Sequence, residues 1–132
     1  MMSRVLIAED NPDMARMCRI ALEHRGHSVV VTSDGAECIR AYRDAATRLG
    51  KEQSRHEPFD IVILDSRMPR VDGAEAAREI LSINKRQRLA FAAAYIGASN
   101  EAIRRSHQVE ILNKPFEVKE LIELVENDLP FA

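Results

Sequence analysis

The chain has 132 residues, of which 45% are hydrophobic and 30% charged, and its formal net charge is −2. These values predict one globular domain with a buried core, and the slightly acidic balance gives no reason to expect nucleic acid as a partner. The sequence shows no signal peptide and no apolar run of membrane length, so we expect a cytoplasmic protein whose two cysteines, Cys18 and Cys38, stay reduced.

The first half of the chain alternates short apolar runs with amphipathic segments. "RVLIA" predicts a strand from Arg4 to Ala8, and "SVVVT" predicts a second strand from Ser28 to Thr32. Helix boundaries are marked by capping and terminating residues: Asn11 and Pro12 before the first helix, Gly26 after it, and Asp34 with Glu37 as a capping box for the second.

The second half continues the alternation after a polar segment that we interpret as an exposed loop, Gly50 to Pro58. Three more strands are predicted: "FDIVILD" ending at Asp65, Leu89 to Ala94, and Val109 to Leu112. Three more helices are predicted: one starting at Asp72 with Glu75, one over Ser99 to Ser106, and one with an apolar stripe from Val118 to Leu129. The strands are short and apolar throughout, so the pattern predicts an α/β fold whose parallel sheet is covered on both faces.

Ionisable residues follow three of the predicted strands. Glu9 and Asp10 come after the first strand, Asp65 ends the third, and Lys114 follows the fifth. Each one alone is most often a turn or capping residue. Because the carboxyl ends of parallel strands meet at one edge of the sheet, we expect three carboxylates and one ammonium to lie together there.

This combination predicts a metal site with phosphoryl chemistry. Carboxylates about 4 Å apart repel by roughly 4 kcal/mol per close pair at an effective dielectric constant of about 20, and a fold tolerates that repulsion only with a bound cation or with raised pKa values. Ligands that are all oxygen favour Mg²⁺, and a carboxylate beside Mg²⁺ can attack phosphorus to form an aspartyl phosphate. No cysteine–histidine metal motif competes, and we interpret the four histidines as surface residues: His24, His27, His56 and His107.

Four sequence stretches together resemble the two-component response regulator receiver domain. They are "VLIAEDNPD", "TSDGAECI", "DIVILDSRMPRVDG" and "NKPFEVKEL", and they span nearly the whole chain. The resemblance implies a doubly wound, flavodoxin-like α/β fold with a five-stranded parallel sheet in the order 2-1-3-4-5. It also implies that the first and last helices cover one face and the middle three the other, so Cys18 and Cys38 would lie on opposite faces.

The resemblance also implies a role for each site residue. Asp65 would be the phosphoacceptor, and Lys114, preceding a candidate cis-proline, would pair with the phosphoryl group. The cofactor would be Mg²⁺ (or Mn²⁺), bound by the side chains of Asp10 and Asp65. Glu9 would act on the ion mainly through water, and Arg67 would offer its backbone carbonyl.

Two positions depart from the family pattern. The family normally has Thr or Ser at the end of the fourth strand, where this chain has alanine, and we align Ala93 there with Ala92 and Ala94 as alternatives. The family's usual aromatic residue three positions before the lysine is Ile111 here. In addition, the segment between the second helix and the third strand is longer than usual, which predicts a longer second helix.

The leading hypothesis is a stand-alone, chemotaxis-regulator-like receiver that accepts a phosphoryl group from a histidine kinase or phosphotransfer protein and then modulates a downstream protein. We expect a single domain over residues 1–132, with a core at about 3–129 and no output domain, and no enzymatic activity beyond its own phosphorylation and dephosphorylation. No membrane or nucleic-acid partner is expected, and dimerisation through the fourth helix, fifth strand and last helix stays open. The alternative is a phosphorylation-independent interaction module with a degenerate switch, which the missing hydroxyl favours.

Overall fold

The computed structural model describes residues 2–49, 57–95, 97–107 and 109–127. Five strands alternate with five helices in these ranges: β1 (Arg4–Ala8), α1 (Pro12–His24), β2 (Ser28–Thr32), α2 (Gly35–Leu49), β3 (Ile61–Asp65), α3 (Gly73–Ile83), β4 (Leu89–Ala93), α4 (Ala98–Ser106), β5 (Val109–Asn113) and α5 (Val118–Glu126). All strand pairs are parallel, and the order is β2-β1-β3-β4-β5. The predicted flavodoxin-like topology is therefore confirmed.

The element boundaries differ from the predictions by one or two residues. The third strand begins at Ile61 instead of Phe59, the fourth ends at Ala93, and the fifth extends to Asn113. Differences of this size are usual where strands and helices fray at their ends. The predicted loop over Gly50 to His56 and the predicted continuation of the last helix beyond Asn127 lie outside the described residues.

Local hydrogen bonds explain where the first helices begin and end. The side chain of Asn11 accepts from the backbone N–H groups of Asp13 and Met14, both at 3.0 Å, which caps α1. Gly26 follows α1 with a φ of +93°, a left-handed conformation that favours glycine. The capping box of α2 is only half formed, because the carboxylate of Glu37 accepts from Ser33 instead of from the backbone of Asp34.

The sheet separates two hydrophobic layers. Helices α2, α3 and α4 cover one face, where Leu64 and Phe91 are buried, while α1 and α5 cover the other, where Ile7 and Ile63 are buried. The two cysteines are buried on opposite sides of the sheet, and both are free thiols, as predicted. No helix in the described ranges is both long and apolar enough to cross a membrane.

The prediction that every histidine lies at the surface is wrong for His27, which is 4% exposed. Its Nδ1 accepts the backbone N–H of Ser3 at 3.0 Å, and its Nε2 lies 2.9 Å from a carboxylate oxygen of Glu126. A ring nitrogen that accepts a hydrogen bond from an amide N–H carries no hydrogen itself. The ring N–H is therefore at Nε2, which donates a hydrogen bond to Glu126. His24 and His107 are exposed, as predicted, and His56 lies outside the described residues.

Candidate functional site

Three carboxylates meet where β1 and β3 end. Glu9 and Asp10 directly follow β1, and Asp65 is the last residue of β3, which pairs with β1 in parallel. One carboxylate oxygen of each lies within 4.8 Å of the others. Glu9 and Asp65 are buried while Asp10 is exposed, so the cluster is open to solvent on one side. The structure thus brings together the three acidic residues predicted from the strand ends.

Lys114 lies against this cluster from the end of β5. Its Nζ is 3.1 Å from Oε1 of Glu9 and 3.3 Å from Oδ1 of Asp65. Its backbone N–H donates to the carbonyl of Ala93 at 2.9 Å, which ties the lysine to the end of β4. The Lys114–Pro115 peptide bond is cis, as expected from the sequence resemblance.

The carboxyl group of Asp65 is held in an unfavourable environment for its negative charge. Burial, followed by the charge of Glu9, raises the pKa of Asp65 from 3.8 to about 6, although Lys114 acts in the opposite direction. Burial lowers the pKa of Lys114, but its hydrogen bonds and charge interactions with Glu9 and Asp65 outweigh this effect. The pKa of the lysine therefore lies above its ordinary value, and its ammonium is charged at neutral pH.

The residues present fit a hard divalent cation. One ammonium does not balance three carboxylates, and two carboxylates no more than 4.8 Å apart repel by about 3.5 kcal/mol or more at an effective dielectric constant of about 20. The donors are all oxygen, and the exposed side of Asp10 leaves room for water ligands, which Mg²⁺ usually retains. The described residues contain no other group of three acidic, histidine or cysteine side chains suited to a metal.

The loop after β3 is shaped by Asp65 itself. The backbone N–H of Arg67 donates to Oδ1 of Asp65 at 3.3 Å, which places Arg67 beside the cluster. A Cβ atom on Gly73 would lie 2.4 Å from the carbonyl oxygen of Asp65, so only glycine allows α3 to begin this close to the strand end. The predicted metal ligation by the Arg67 carbonyl stays a prediction.

Ala93 is the last residue of β4, and Ile111 lies in the middle of β5. Asp65 pairs with Ala92 in the sheet, so Ala93 lies one step beyond, at the carboxyl end of β4, where it is buried. Its methyl group cannot donate a hydrogen bond. Ile111 is half-buried and packs against the core under α2, α3 and α4. Tyr95, two residues after Ala93, is 71% exposed.

One contact next to the site was not predicted from the sequence, an ion pair between Arg70 in the loop after β3 and Asp34, the residue before α2. Arg70 has a φ of +68°, and arginine seldom adopts that conformation. No sequence pattern indicates a pair between residues 36 positions apart. The left-handed backbone of Arg70 has no sequence signal either, whereas Asn or Gly at this position would have suggested it.

Known proteins resemble this chain along most of its length. A family model described as the response regulator receiver domain matches residues 5–126. The response regulator receiver protein CpdR of Brucella abortus is 33% identical over 132 residues, which cover 97% of this chain and 98% of that protein. The match to a family model over most of the chain, together with this full-length relative, shows the family.

Solved structures share the fold at lower sequence identity. The chemotaxis protein CheY4 of Vibrio cholerae has a TM-score of 0.74 at 21% identity, over 98% of this chain and 100% of that one. A CheX–CheY complex with BeF₃ and Mg²⁺ from Borrelia burgdorferi has a TM-score of 0.74 at 20% identity, over 91% of this chain and 84% of that one. The family match, the full-length relative and the common fold together establish that this chain belongs to the response regulator receiver domain family.

Proposed function

We propose that this receiver accepts a phosphoryl group on Asp65 in a Mg²⁺-dependent reaction and thereby changes its affinity for a downstream protein. The donor would be a phosphohistidine on a kinase or phosphotransfer protein, and the setting the cytoplasm. One observation carries the proposal: Asp65 is a buried carboxylate at a strand end, next to two more carboxylates and within 3.3 Å of Lys114.

The transfer exchanges one bond to phosphorus for another. A carboxylate oxygen of Asp65 forms a bond to phosphorus while the bond from phosphorus to the donor's imidazole nitrogen breaks. The electron pair of that bond goes to the imidazole, which takes up a proton from solvent. Asp65 must be ionised to attack, and with a pKa of about 6 it is mostly ionised at neutral pH.

The side chains of Glu9, Asp10 and Lys114 surround the reacting carboxylate, and each would have a different role. Asp10 and Asp65 would hold Mg²⁺ directly, Glu9 would act on it through water, and the carbonyl of Arg67 would complete the protein ligands. When bound, the ion supplies positive charge to the carboxylates and to the phosphoryl oxygens. Lys114 already contacts Glu9 and Asp65, and its ammonium would turn to the phosphoryl oxygens once Asp65 is esterified.

A matched structure supports the same chemistry in a relative. The Borrelia CheX–CheY complex contains BeF₃ and Mg²⁺, and BeF₃ on a carboxylate imitates a phosphoryl group. The fold that this chain shares with that CheY places its own acidic cluster and Lys114 at the carboxyl edge of the sheet. We therefore expect BeF₃ with Mg²⁺ to serve as a phosphoryl mimic for this chain as well.

The experiment is the intact mass of the purified chain after incubation with acetyl phosphate, with and without Mg²⁺. We expect one added phosphoryl group in the presence of Mg²⁺, none after chelation, and none in Asp65→Asn. Asp44→Asn is the matched control, because Asp44 is an exposed carboxylate on α2, away from the strand ends. An unchanged wild-type mass, under conditions that phosphorylate a known receiver, would contradict the proposal.

A second candidate function is an interaction module that binds its partner without phosphorylation. It is favoured by Ala93, which lacks the hydroxyl that usually contacts the phosphoryl group, and by Ile111, which lacks the usual aromatic ring. One charge-assisted hydrogen bond is worth about 1.5–3 kcal/mol, or roughly ten- to a hundredfold in the ratio of active to inactive forms. Phosphorylation would then proceed without a full switch of α4, β5 and α5.

Amide NMR with and without BeF₃ and Mg²⁺ tests how far the response to the phosphoryl mimic extends from Asp65. We expect shifts concentrated around Asp65 and Lys114 in the wild type, and shifts that extend into β5 and α5 in Ala93→Thr, because the threonine restores the missing donor. Large wild-type shifts throughout β5 and α5, equal to those of the threonine variant, would show that this chain switches without a hydroxyl.

A further inference from the structure

The β3–α3 loop, residues 66–72, lies directly on the first turn of α2. A Cβ atom on Gly35 would be only 2.0 Å from the carbonyl oxygen of Val71, so the two backbones are in direct contact. Beside that contact, Nη2 of Arg70 donates to Oδ2 of Asp34. An ion pair and a backbone contact therefore attach the loop to α2.

Asp34 is a fixed anchor for this attachment. Its side chain is 11% exposed, and its Oδ1 accepts the backbone N–H of Glu37 at 2.8 Å, which caps α2. That hydrogen bond first, and the guanidinium of Arg70 in addition, hold the pKa of Asp34 below its ordinary value against the effect of burial. The anchor is therefore ionised at neutral pH and held in one position by the helix itself.

The other end of the loop is part of the acidic cluster. The Arg67 N–H donates to Asp65, and Gly73 closes the loop against the carbonyl of that same residue. Only two residues separate Arg67 from Arg70, so both belong to the same short segment of the loop. Arg70 also has a left-handed φ of +68°, which is unfavourable for arginine, and its ion pair compensates for that conformation.

We infer that Arg70 is a positioning residue for the metal site. By holding the loop on α2 through Asp34, it keeps the backbone of Arg67 beside Asp65 and so increases the affinity for Mg²⁺. This inference rests on the proposed function, since it assumes that the cluster binds the ion. Arg70 would act on the Mg²⁺ affinity through Asp34 and the loop backbone, without binding the ion itself.

Two substitutions separate the ion pair from the backbone conformation. Arg70→Asn removes the cation, but asparagine tolerates a left-handed φ. Arg70→Lys keeps the cation and can still donate to Asp34. Arg43→Ala is the matched control, because Arg43 also joins α2 to α3 through an exposed ion pair, with Glu79 at 2.6 Å, and lies away from the loop.

The assay is a Mg²⁺ titration of the purified full chain followed by amide NMR, with the metal-free spectrum as a second readout. In Arg70→Asn we expect Mg²⁺ to bind about three- to fivefold more weakly, which is near the upper limit for a solvent-exposed ion pair. The Arg67 amide should also shift before any metal is added. Arg70→Lys should recover most of the affinity, and Arg43→Ala should bind Mg²⁺ as the wild type does.

Equal Mg²⁺ affinity in the wild type and Arg70→Asn would overturn the inference, and so would equal weakening in Arg43→Ala. The proposed function is judged separately by the intact mass of the wild type. If the wild type gains a phosphoryl group and Arg70→Asn binds Mg²⁺ with the wild-type affinity, only the positioning role is refuted. A chain that binds no Mg²⁺ would refute both.

Discussion

Replacing Asp65 with asparagine should stabilise the metal-free protein at neutral pH. The substitution keeps the size of the side chain and an oxygen that can accept the Arg67 N–H, but it removes a charge from a buried position beside Glu9. Raising the pKa of one carboxyl from 3.8 to about 6 costs the ionised folded state roughly 3 kcal/mol, which bounds the gain. We expect a gain of about 1–2 kcal/mol in the free energy of unfolding. The gain is smaller than this bound because Lys114 loses its ion pair with Asp65.

The pH dependence has a definite sign. The folded chain holds the proton of Asp65 more tightly than the unfolded chain does, so ionisation of this group destabilises the wild type as pH rises from about 4 to about 6. Well below about pH 4 the carboxyl is protonated in both states, so the advantage of Asp65→Asn should fall towards zero as the pH is lowered. Above pH 6 the advantage should reach its full size and stay constant.

Urea denaturation in a chelator, repeated from pH 4 to pH 8, measures this difference. Asp44→Asn serves as the control and should follow the wild type, because Asp44 is exposed on α2. Added Mg²⁺ should stabilise the wild type by mass action and leave Asp65→Asn almost unchanged, which reverses their order at high concentration. Two results would refute this account of the site. One is an Asp65→Asn protein that is less stable than the wild type at pH 7 without metal, and the other is a difference in the free energy of unfolding that does not change with pH.

Three further predictions follow from the structure. Asp10→Ala should lose most of the stabilisation by Mg²⁺ in a thermal-shift titration, and a response equal to that of the wild type would place the ion elsewhere. Gly35→Ala should lower the free energy of unfolding by about 1–3 kcal/mol, because the new methyl group would collide with the Val71 carbonyl; Gly97→Ala, with open space around it, should change little. His27→Ala should lower the free energy of unfolding at pH 7 by about 2–4 kcal/mol in urea, since it leaves a cavity and an unpaired backbone amide, and a loss below 1 kcal/mol would argue against the buried histidine.

Sequence patterns predict the architecture because its determinants are local. Apolar runs define the strands, and Asn11 and Gly26 mark the ends of α1 in both the sequence and the structure. The acidic cluster was also predictable, because a parallel sheet brings the ends of β1 and β3 to one edge. Family resemblance added the sheet order and the candidate roles of Asp65 and Lys114.

Contacts between distant residues were not predictable in the same way. His27 stands between charged and small residues, which suggests exposure, but its partners lie 24 and 99 residues away. The Arg70–Asp34 pair joins residues 36 positions apart and depends on a backbone conformation that arginine seldom adopts. A single sequence contains no pattern for such pairs, because their geometry exists only once the sheet and helices have assembled.

The most direct test of the central claim is to identify the residue that carries the phosphoryl group. Borohydride reduces an acyl phosphate to the alcohol, so a phosphorylated aspartate becomes homoserine, which peptide sequencing by mass spectrometry can locate. After incubation with acetyl phosphate and Mg²⁺, we expect homoserine at position 65 and at no other aspartate. Homoserine at Asp10 or elsewhere, or none in a sample whose intact mass has increased, would contradict the assignment of Asp65 as the phosphoacceptor.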